Sequence, residues 1–384
     1  MTPRKLFITG ATGFIGSRLC EMLSLDAHMP YRALVRNFSR AARIARFDPE
    51  MVAGDLTDTS SLVRAMRDCD AVAHLAHGDD KDAKKQAHRL VEACHQARVR
   101  RLVHVSSMAV HGPEPGLPIM TEETAPRMRW GETYSDAKSA AEDLILSRCR
   151  RYGIEIVVIR PTIVYGPYSG FVTPIVGDAR SGHVSLIDNG RGLCNAVYVD
   201  DVCTAILAAL NKDDIDGKAF LINGNDRLTW REFIETFANM VDRPKTIVDH
   251  SVSEIDNYWR SAEPTLASNV RAMLRLLASP NFHAQLASVP HIGKLIRRSK
   301  TLIAGAVSPK RKRALKRRFQ GRQIQDSSVD PAVRMPSRGR VVREAYRTWV
   351  ANEHAQRTLD WQPQFTFAEG AAMTRAWLQF ARLI

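Results

Sequence analysis

The chain has 384 residues, of which 45% are hydrophobic and 25% are charged, and its formal net charge is +14. This composition is typical of globular proteins, and no apolar run approaches the ~20 residues that a membrane span needs. Six scattered cysteines without a C-x-x-C pair favour reduced thiols in a cytoplasmic protein over a zinc site or a disulfide framework.

Short β-rich runs alternate with helical patterns over residues 1–165. The predicted strands are Leu6–Ile8, Tyr31–Val35, Met51–Ala53, Ala71–Leu75, Leu102–Val105 and Ile156–Ile159. The predicted helices between them are Phe14–Leu25, Ser39–Arg46, Ser61–Arg67, Lys81–Ala97 and Tyr134–Arg151. This alternation indicates an α/β fold with a doubly wound parallel sheet, and the first strand begins too early for a visible signal peptide.

The chain is predicted to divide into two regions. The first comprises 1–165, and 196–212 return to it as a strand end and a helix. The second comprises 166–195, which are rich in glycine and proline, and 213–384. We expect the second region to be smaller, mostly helical and to bind the substrate.

The second region contains an irregular basic helical insertion, residues 251–345. Its part 291–345 holds 16 Lys and Arg against 3 Asp and Glu, a net of +13 out of the chain's +14. The main fold is therefore nearly neutral. At the end of the chain, Phe367–Phe380 is a predicted helix. Its residues Ala371, Met373, Trp377 and Phe380 are predicted to form one apolar stripe against the core.

A glycine-rich turn joins the first strand to the first helix. The segment Thr9-Gly10-Ala11-Thr12-Gly13-Phe14-Ile15-Gly16 has G-x-x-G-x-x-G spacing. Gly10 permits backbone angles that a side chain forbids, Gly13 lets the main chain approach a pyrophosphate, and Gly16 lets the helix lie close to the strand. The helix N-terminus offers N–H groups and a positive dipole to phosphates. The motif predicts a dinucleotide site, and the alternative is a tight turn without a ligand.

A tyrosine and a lysine lie four residues apart at the start of the helix that precedes the sixth strand. Tyr134 and Lys138 share one helix face. An ammonium beside a phenol favours the phenolate, which is what proton transfer near neutral pH needs. Ser106 and Ser107 end the fifth strand at the carboxyl edge of the sheet, where open α/β sheets bind ligands. One of the two serines is expected only to cap the strand end.

Seven segments occur in an order and at spacings that resemble the extended short-chain dehydrogenases/reductases, of the epimerase/dehydratase and 3β-hydroxysteroid-dehydrogenase type. They are TGATGFIG at 9–16, GDL at 54–56, HLA at 74–76, VSS at 105–107, YSDAK at 134–138, RPTIVYGP at 160–167 and YVDDV at 198–202. They cover roughly the first 230 residues, and LDWQP at 359–363 is similar to the family's tail. The resemblance implies a Rossmann-type fold, an NAD(P) cofactor and hydride transfer at a secondary alcohol or ketone carbon.

By this resemblance, Tyr134 is the general acid/base, Lys138 binds the nicotinamide ribose and tunes Tyr134, and Ser107 orients the reacting oxygen. The family also implies cofactor contacts in the glycine turn, at the adenine, along the groove and at the nicotinamide. These residues are Gly10, Thr12, Gly13, Phe14, Ile15 and Gly16; Asp55 and Leu56; Leu75 and Ala76; and Pro161, Thr162 and Ile163. His111 stands where the family usually has a tyrosine.

The residue after the second strand bears on the choice of cofactor. NAD-binding members of this fold place an acid there for the ribose hydroxyls, whereas this chain has Arg36, with Arg40 one helical turn on. A cation suits a 2′-phosphate, which an acid would repel. We therefore predict NADP(H), with NAD(H) as the alternative in which Arg36 is only a surface cation.

Two substrate classes stay open. Nucleotide-sugar epimerases and dehydratases usually carry an arginine for the diphosphate before the V-D-D segment, and Asn195 stands near that position. An amide cannot replace a bidentate cation, although Arg180 and Arg191 are near enough in sequence to substitute. RPTIVYGP is more similar to the reductases. We therefore favour a ketone or secondary alcohol on a lipid-like or polyketide-like molecule over a nucleotide sugar.

The basic segment 291–319 mixes cations with apolar residues. It predicts peripheral docking on an anionic membrane surface, with a solvated insertion as the bland alternative. Nucleic acid is the least favoured partner, because no binding module is recognisable. Family members often form homodimers through the helices at 82–97 and 134–151.

Two further readings are disfavoured. His74, His77 and His104 lack the carboxylates or cysteines of a metal site, so no metal is predicted. A non-catalytic NADP-binding protein docked on a membrane is the alternative from another class, and it conflicts with the retention of Ser107, Tyr134 and Lys138 together.

Overall fold

The computed structural model describes residues 3–27, 29–112, 116–124, 131, 133–262 and 335–384. The chain forms two compact units, one of Met1–Val252 with Pro336–Ile384 and one of Ser253–Met335. The smaller unit is described mainly through one helix, α9 (Val252–Ala262). The predicted membrane-docking segment 291–319 lies outside the described residues.

A seven-stranded parallel sheet forms the centre of the larger unit. Its strands are β1 (Leu6–Thr9), β2 (Tyr31–Val35), β3 (Glu50–Ala53), β4 (Ala71–His74), β5 (Arg101–Val105), β7 (Glu155–Pro161) and β12 (Ala219–Ile222). Their order is β12-β7-β5-β4-β1-β2-β3, so the chain winds outward in both directions from β1 and β4. This is the doubly wound Rossmann-type topology, in which ligands bind at the carboxyl edge of the strands.

Helices cover both faces of this sheet. They are α1 (Phe14–Met22), α2 (Ala42–Ala45), α3 (Thr59–Ala65), α4 (Ala83–Gln96), α5 (Thr133–Tyr152) and α7 (Val199–Asn211). Side chains of β1 alternate between two apolar cores: Leu6 and Ile8 pack into one, and Phe7 into the other. Burial on both faces explains why the strands contain apolar residues without polar alternation.

Shorter elements build the remainder of the larger unit. The strands are β6 (Ile119–Met120), β8 (Ile163–Tyr165), β9 (His183–Ile187), β10 (Leu193–Cys194), β11 (Ala196–Tyr198), β13 (Leu228–Thr229), β14 (Thr246–His250) and β15 (Trp349–Val350). They pair two by two, as β8–β11, β9–β14, β10–β13 and β6–β15. The helices are α6 (Val172–Arg180), α8 (Trp230–Ala238), α10 (Arg338–Glu344), α11 (Glu353–Leu359) and α12 (Phe367–Phe380).

The predicted strands of the first region all occur, with ends that differ by at most two residues. The run 220–222, placed in the second region by the sequence, pairs with β7 at the edge of the main sheet. Residues 336–345, counted with the basic insertion, belong to the larger unit. Apart from these placements, the division into a cofactor-binding and a substrate-binding region stays a prediction.

The predicted apolar stripe of α12 is wrong for two of its four residues. Met373 and Phe380 are 52% and 86% exposed, and the helix instead buries a face of small and aliphatic residues. The buried residues are Gly370, Ala371, Thr374 and Leu378. A Cβ at Gly370 would lie 2.8 Å from the Tyr198 ring. The large rings of the core therefore pack against the helix face that contains this glycine.

The chain end is fastened to α7 by a buried carboxylate. Asp201 accepts the backbone N–H groups of Gln364 (2.7 Å) and Phe365 (3.4 Å), and the Trp361 indole donates to the Asp201 carbonyl (3.1 Å). Burial raises the pKa of Asp201 to about 6, against the lowering effect of these N–H groups. The LDWQP segment is thus held through the second aspartate of YVDDV.

No helix in the described ranges combines the length and apolarity needed to cross a membrane.

Candidate active site

The glycine turn closes tightly against the ends of β1 and β4. Gly10 has a φ of +74°, and a Cβ there would lie 2.6 Å from the Ala76 nitrogen. A Cβ at Gly16 would overlap the Gly10 carbonyl oxygen. The Ala76 N–H also donates to the Thr9 hydroxyl (3.3 Å), which ties the two strand ends together. Only glycine is therefore compatible with the close approach of turn, helix and groove.

The start of α1 suits a phosphate-bearing cofactor. Gly13 is the N-cap residue, so no side chain caps the helix, and no acid lies in its first turn. At Gly13 itself a Cβ would meet only the Gly10 carbonyl oxygen, at 3.1 Å. Uncapped N–H groups and the positive end of the helix dipole are what an anion binds. The predicted contacts Gly10, Thr12, Gly13, Phe14, Ile15 and Gly16 thus form a cradle compatible with a dinucleotide pyrophosphate.

Arg36 and Asp55 lie together at the carboxyl ends of β2 and β3. The Arg36 side chain is 73% exposed, and its Nε lies 4.0 Å from an Asp55 carboxylate oxygen. Partial burial acts to raise the pKa of Asp55, but hydrogen bonds from Thr57 and the Arg36 charge hold it below its ordinary value. Arg36 is thus an exposed cation at the carboxyl edge of the sheet.

The predicted acid/base pair lies on α5, with Lys138 in the interior and Tyr134 at the surface. Tyr134 is 38% exposed, and its ring packs edge-on against His77, with 5.3 Å between centroids. Lys138 is 7% exposed, and its ammonium donates to the Val105 carbonyl (3.3 Å) at the end of β5. Burial lowers the pKa of Lys138 to about 8, while the Glu142 and Asp80 carboxylates act to raise it.

The two serines at the end of β5 have different partners. Ser106 is buried and donates to the Glu142 carboxylate (2.5 Å). Ser107 is half-buried, and its Oγ accepts the Ala109 N–H (3.2 Å) as the cap of a short 3-10 helix. Because a hydroxyl that accepts this bond still has its own proton to donate, Ser107 can bind a substrate oxygen. Ser106 is the serine committed to the protein interior.

A buried ion pair joins α5 to β7. Glu142 is fully buried, and both of its oxygens accept from the guanidinium of Arg160, which is 4% exposed. Arg160 also hydrogen-bonds to His111 Nε2 (3.2 Å). Arg160 must be the donor, because a guanidinium has no acceptor. The sequence reasoning missed this cluster. Its signals were Glu142 one turn after Lys138 and the basic side chain that follows the apolar run 156–159.

Two buried histidines, His74 and His104, lie close to Lys138. The His74 and His104 rings stack with 5.2 Å between centroids, and His74 Nδ1 lies 2.6 Å from the Thr9 hydroxyl. Burial lowers the pKa of both rings well below the usual range, as does the nearby Lys138 charge. They are therefore neutral at neutral pH. Among the described residues, no group of three or more His, Cys, Asp or Glu is placed to hold a metal ion.

The predicted nicotinamide neighbours lie where β7 gives way to β8. Pro161 ends β7, and Thr162 and Ile163 follow it directly. The Thr162 hydroxyl donates to the Asn223 side chain (3.0 Å), and all of this segment is buried. Leu75 and Ala76, the predicted groove residues, follow β4, which lies two strands from β7 in the sheet. Leu56 packs against the apolar core that contains Phe7.

The side chain of Asn195 is buried and hydrogen-bonds to the backbone of another segment of the fold. It is 2% exposed, its amide donates to the Thr348 carbonyl (3.0 Å), and its oxygen accepts the Val350 N–H (2.9 Å). Both bonds hold the segment at β15, so this amide is not directed to a phosphate. Arg180 and Arg191, the proposed substitutes, are both exposed.

The chain resembles a known protein family in sequence. The model of the NAD dependent epimerase/dehydratase family matches residues 6–223. A 2-alkyl-3-oxoalkanoate reductase of Shewanella oneidensis is 26% identical over 249 residues, which are 59% of this chain and 64% of that protein.

Solved structures share the fold. The UDP-glucose 4-epimerase of Thermotoga maritima superposes with a TM-score of 0.68 at 17% identity, over 98% of this chain and 99% of that chain. The dTDP-glucose 4,6-dehydratase of Bacillus anthracis in complex with NAD gives a TM-score of 0.66 at 18% identity, over 99% of both chains. At these identities the likeness concerns the fold.

The buried pair makes a prediction about stability. Glu142→Gln leaves the Arg160 charge buried without its partner, so the free energy of unfolding should fall by about 3–5 kcal/mol. Glu123→Gln makes the same substitution at an exposed residue and should change stability by about 0.5 kcal/mol or less. Urea unfolding of both variants checks this. Equal effects would contradict a specific role for Glu142.

Proposed function

Because the chain belongs to the NAD dependent epimerase/dehydratase family, we propose that it is an NADP(H)-dependent oxidoreductase that acts at a secondary alcohol or ketone carbon. The main observation that supports this proposal is the buried Lys138 ammonium. It lies one helical turn after Tyr134 and donates a hydrogen bond to the last residue of β5, two residues before Ser107. The name of the Shewanella relative, a reductase of oxoalkanoates, supports a ketone as the reacting group.

The residues that would hold the cofactor are the ones that the family resemblance implies. The α1 cradle would bind the pyrophosphate, Asp55 and Leu56 the adenine, and Arg36 a 2′-phosphate. Leu75 and Ala76 would line the groove. At the far end, Lys138 would hold the ribose, and the 161–163 segment would border the nicotinamide.

The chain's own part in the reaction is to place and move one proton. When bound, the nicotinamide supplies or accepts the hydride at the reacting carbon. Tyr134 donates its phenolic proton to the carbonyl oxygen during reduction and removes it from the alcohol during oxidation. Ser107 donates a hydrogen bond to that same oxygen. Lys138 stabilises the phenolate through its charge, and burial strengthens this interaction.

A nucleotide-sugar epimerase or dehydratase is the second candidate. Its support is the family itself and the fold shared with the Thermotoga epimerase. The commitment of Asn195 to β15 argues against it, because that position then contributes nothing toward a diphosphate. Homodimer formation, membrane docking through 291–319 and a cytoplasmic location stay predictions.

Tyr134→Phe tests the proposed acid/base. With the phenolic proton removed, kcat/KM for ketone reduction should fall by about 10²–10⁴, while the Kd of NADPH stays unchanged. Tyr152→Phe is the matched control, because Tyr152 ends the same helix and donates instead to Glu92 (2.8 Å). Steady-state kinetics with NADPH measure this. Unchanged turnover in the Tyr134 variant would refute the assignment.

The Lys138 ammonium predicts a pH limit. Its pKa of about 8 means that the charge is present below that pH and is lost as the pH rises through it. The kcat/KM for reduction should therefore decline above about pH 8, since this profile reports the free enzyme. Lys138→Arg keeps its charge at high pH and should move the decline upward. A decline that stays in place would show that Lys138 does not cause it.

Arg36 predicts the cofactor preference. Arg36→Asp should raise the Kd of NADPH by about 10–100-fold, because a charge-assisted contact becomes a repulsion, and should leave NADH binding nearly unchanged. Arg46→Asp, an exposed cation that pairs with Glu21, controls for general charge effects. Fluorescence titrations give both constants. Equal weakening of NADPH and NADH would overturn the NADP(H) assignment.

A further inference from the structure

Two titratable side chains near Tyr134, those of His77 and Asp80, lie outside the segments that carry the family resemblance. His77 directly follows Ala76 past the end of β4, and Asp80 begins a short 3-10 helix, Asp80–Asp82. His77 Nε2 lies 2.9 Å from Asp80 Oδ1, and the two side chains are 37% and 27% exposed. The pair therefore lies at the carboxyl edge of the sheet, where ligands of this fold bind.

The imidazole ring of His77 contacts the ring of Tyr134. Their centroids are 5.3 Å apart, and their planes are inclined by 76°, an edge-on arrangement that aromatic rings prefer. The contact restricts the positions that the phenol can adopt. At this distance, a proton on the imidazole would also place a positive charge beside the phenol, and a neighbouring cation favours the phenolate form.

The surroundings of His77 decide when it carries that charge. Burial and the Lys138 charge lower the pKa of His77, and the Asp80 carboxylate acts to raise it. His77 is therefore neutral at neutral pH and gains a proton as the pH falls through this lowered pKa. His74, His104 and Lys138 line the same small cavity. Burial keeps the first two neutral, so protonation of His77 adds to the charge of Lys138 alone.

Asp80 acts on both of the cations near Tyr134. Its Oδ1 atom is buried and, although it lies close to the imidazole, it has no aligned hydrogen bond from a described residue. Such an oxygen is stabilised by a cation beside it, which favours the protonated form of His77. Burial lowers the pKa of Lys138, and the Glu142 and Asp80 carboxylates act to raise it. Asp80 therefore favours the charged forms of both cations.

We propose that His77 and Asp80 are a positioning pair that tunes Tyr134, the acid/base of the proposed reaction. His77 restricts the phenol ring by contact, and its imidazolium, formed at acidic pH, makes the phenol a stronger acid. Reduction, in which Tyr134 loses its proton to the carbonyl oxygen, is then accelerated as the pH falls. Asp80 stabilises the imidazolium and keeps Lys138 charged to higher pH. This inference rests on the proposed function, because it concerns the acid that the reaction uses.

His77→Phe tests the charge, because it keeps a ring against Tyr134 that cannot be protonated. The assay uses NADPH and the best substrate of a methyl-ketone series from butan-2-one to undecan-2-one. The kcat/KM values of wild type and variant should agree near pH 8. Toward about pH 5 the wild type should become about three- to tenfold faster than the variant, because only its phenol gains a neighbouring cation. His88→Phe, at an exposed histidine of α4, should follow the wild type. Parallel profiles of wild type and His77→Phe would overturn the role of the His77 charge.

Asp80→Asn removes the carboxylate with little change in size. Lys138 should then lose its proton at lower pH, so that the alkaline decline of kcat/KM begins at lower pH than in the wild type. Asp82→Asn is the matched control, because Asp82 lies on the same short helix and pairs instead with Lys85 (3.2 Å). A decline that stays in place in the Asp80 variant would contradict the role of Asp80.

The ultraviolet absorbance of tyrosinate supplies a readout that needs no turnover. Subtracting the titration of the same variant with Tyr134→Phe isolates the phenol of Tyr134. This phenol should ionise at lower pH in His77→Arg than in His77→Gln, since a permanent cation favours the phenolate. If the difference is found but no ketone is reduced, the inference holds and the proposed function fails. Ionisation at the same pH in both variants would overturn the inference, whether or not ketones are reduced.

Discussion

The carboxylate of Glu142 is the constraint on which the candidate site depends. It lies at the junction of α5, the end of β5 and β7, where it accepts from Ser106 and Arg160. A buried ion pair repays the loss of hydration only when its geometry is good and its remaining hydrogen bonds are satisfied. These contacts therefore fix the rotation of α5 about its axis. Exposure then rises along one helix face at intervals of four residues, from Glu142 (0%) through Lys138 (7%) to Tyr134 (38%). Tyr134, the proposed proton donor, therefore reaches the surface while the same helix face is held in the interior by Glu142.

Local patterns in the sequence were enough to predict most of the cofactor-binding part. The strands without polar alternation, the glycine turn and the four-residue spacing of Tyr134 and Lys138 are all local, and the doubly wound sheet follows from their order. Glu142 and Arg160 could not be paired in this way, because their contact joins a helix to a strand and depends on the depth at which α5 packs. For α12, a helical period predicts that a stripe exists, but the rings of Tyr165 and Tyr198 decide which face is buried. Such choices are made by long-range packing and cannot be derived from the local pattern alone.

The segment that follows the undescribed residues 263–334 contributes directly to the larger unit. Its strand β15 pairs with β6, and Asn195 and Asn223 bind the same short strand through buried amides. A Cβ at Gly192 would overlap the Glu344 carbonyl oxygen, so the chain passes close to α10 only because that residue is glycine. The charge count of the sequence grouped this segment with the basic insertion. Arg340 and Arg343 instead pair with Glu344 inside the fold, a distinction that composition cannot make.

The fate of the cations separates the two substrate classes. A diphosphate needs guanidinium groups that are free of competing carboxylates, since a charge already paired in a low-dielectric site offers little further attraction. Arg340 and Arg343 share one buried carboxylate, and Asn195, near the position of the expected arginine, has an amide that is hydrogen-bonded to the backbone of Thr348 and Val350. Between α6, α8 and β9, aromatic and aliphatic side chains lie beside the paired charges of Arg340, Arg343 and Glu344. Apolar burial gains free energy without any need for charge, so the pairing of these cations supports the proposed ketone or alcohol over a nucleotide sugar on a scaffold that nucleotide-sugar enzymes share.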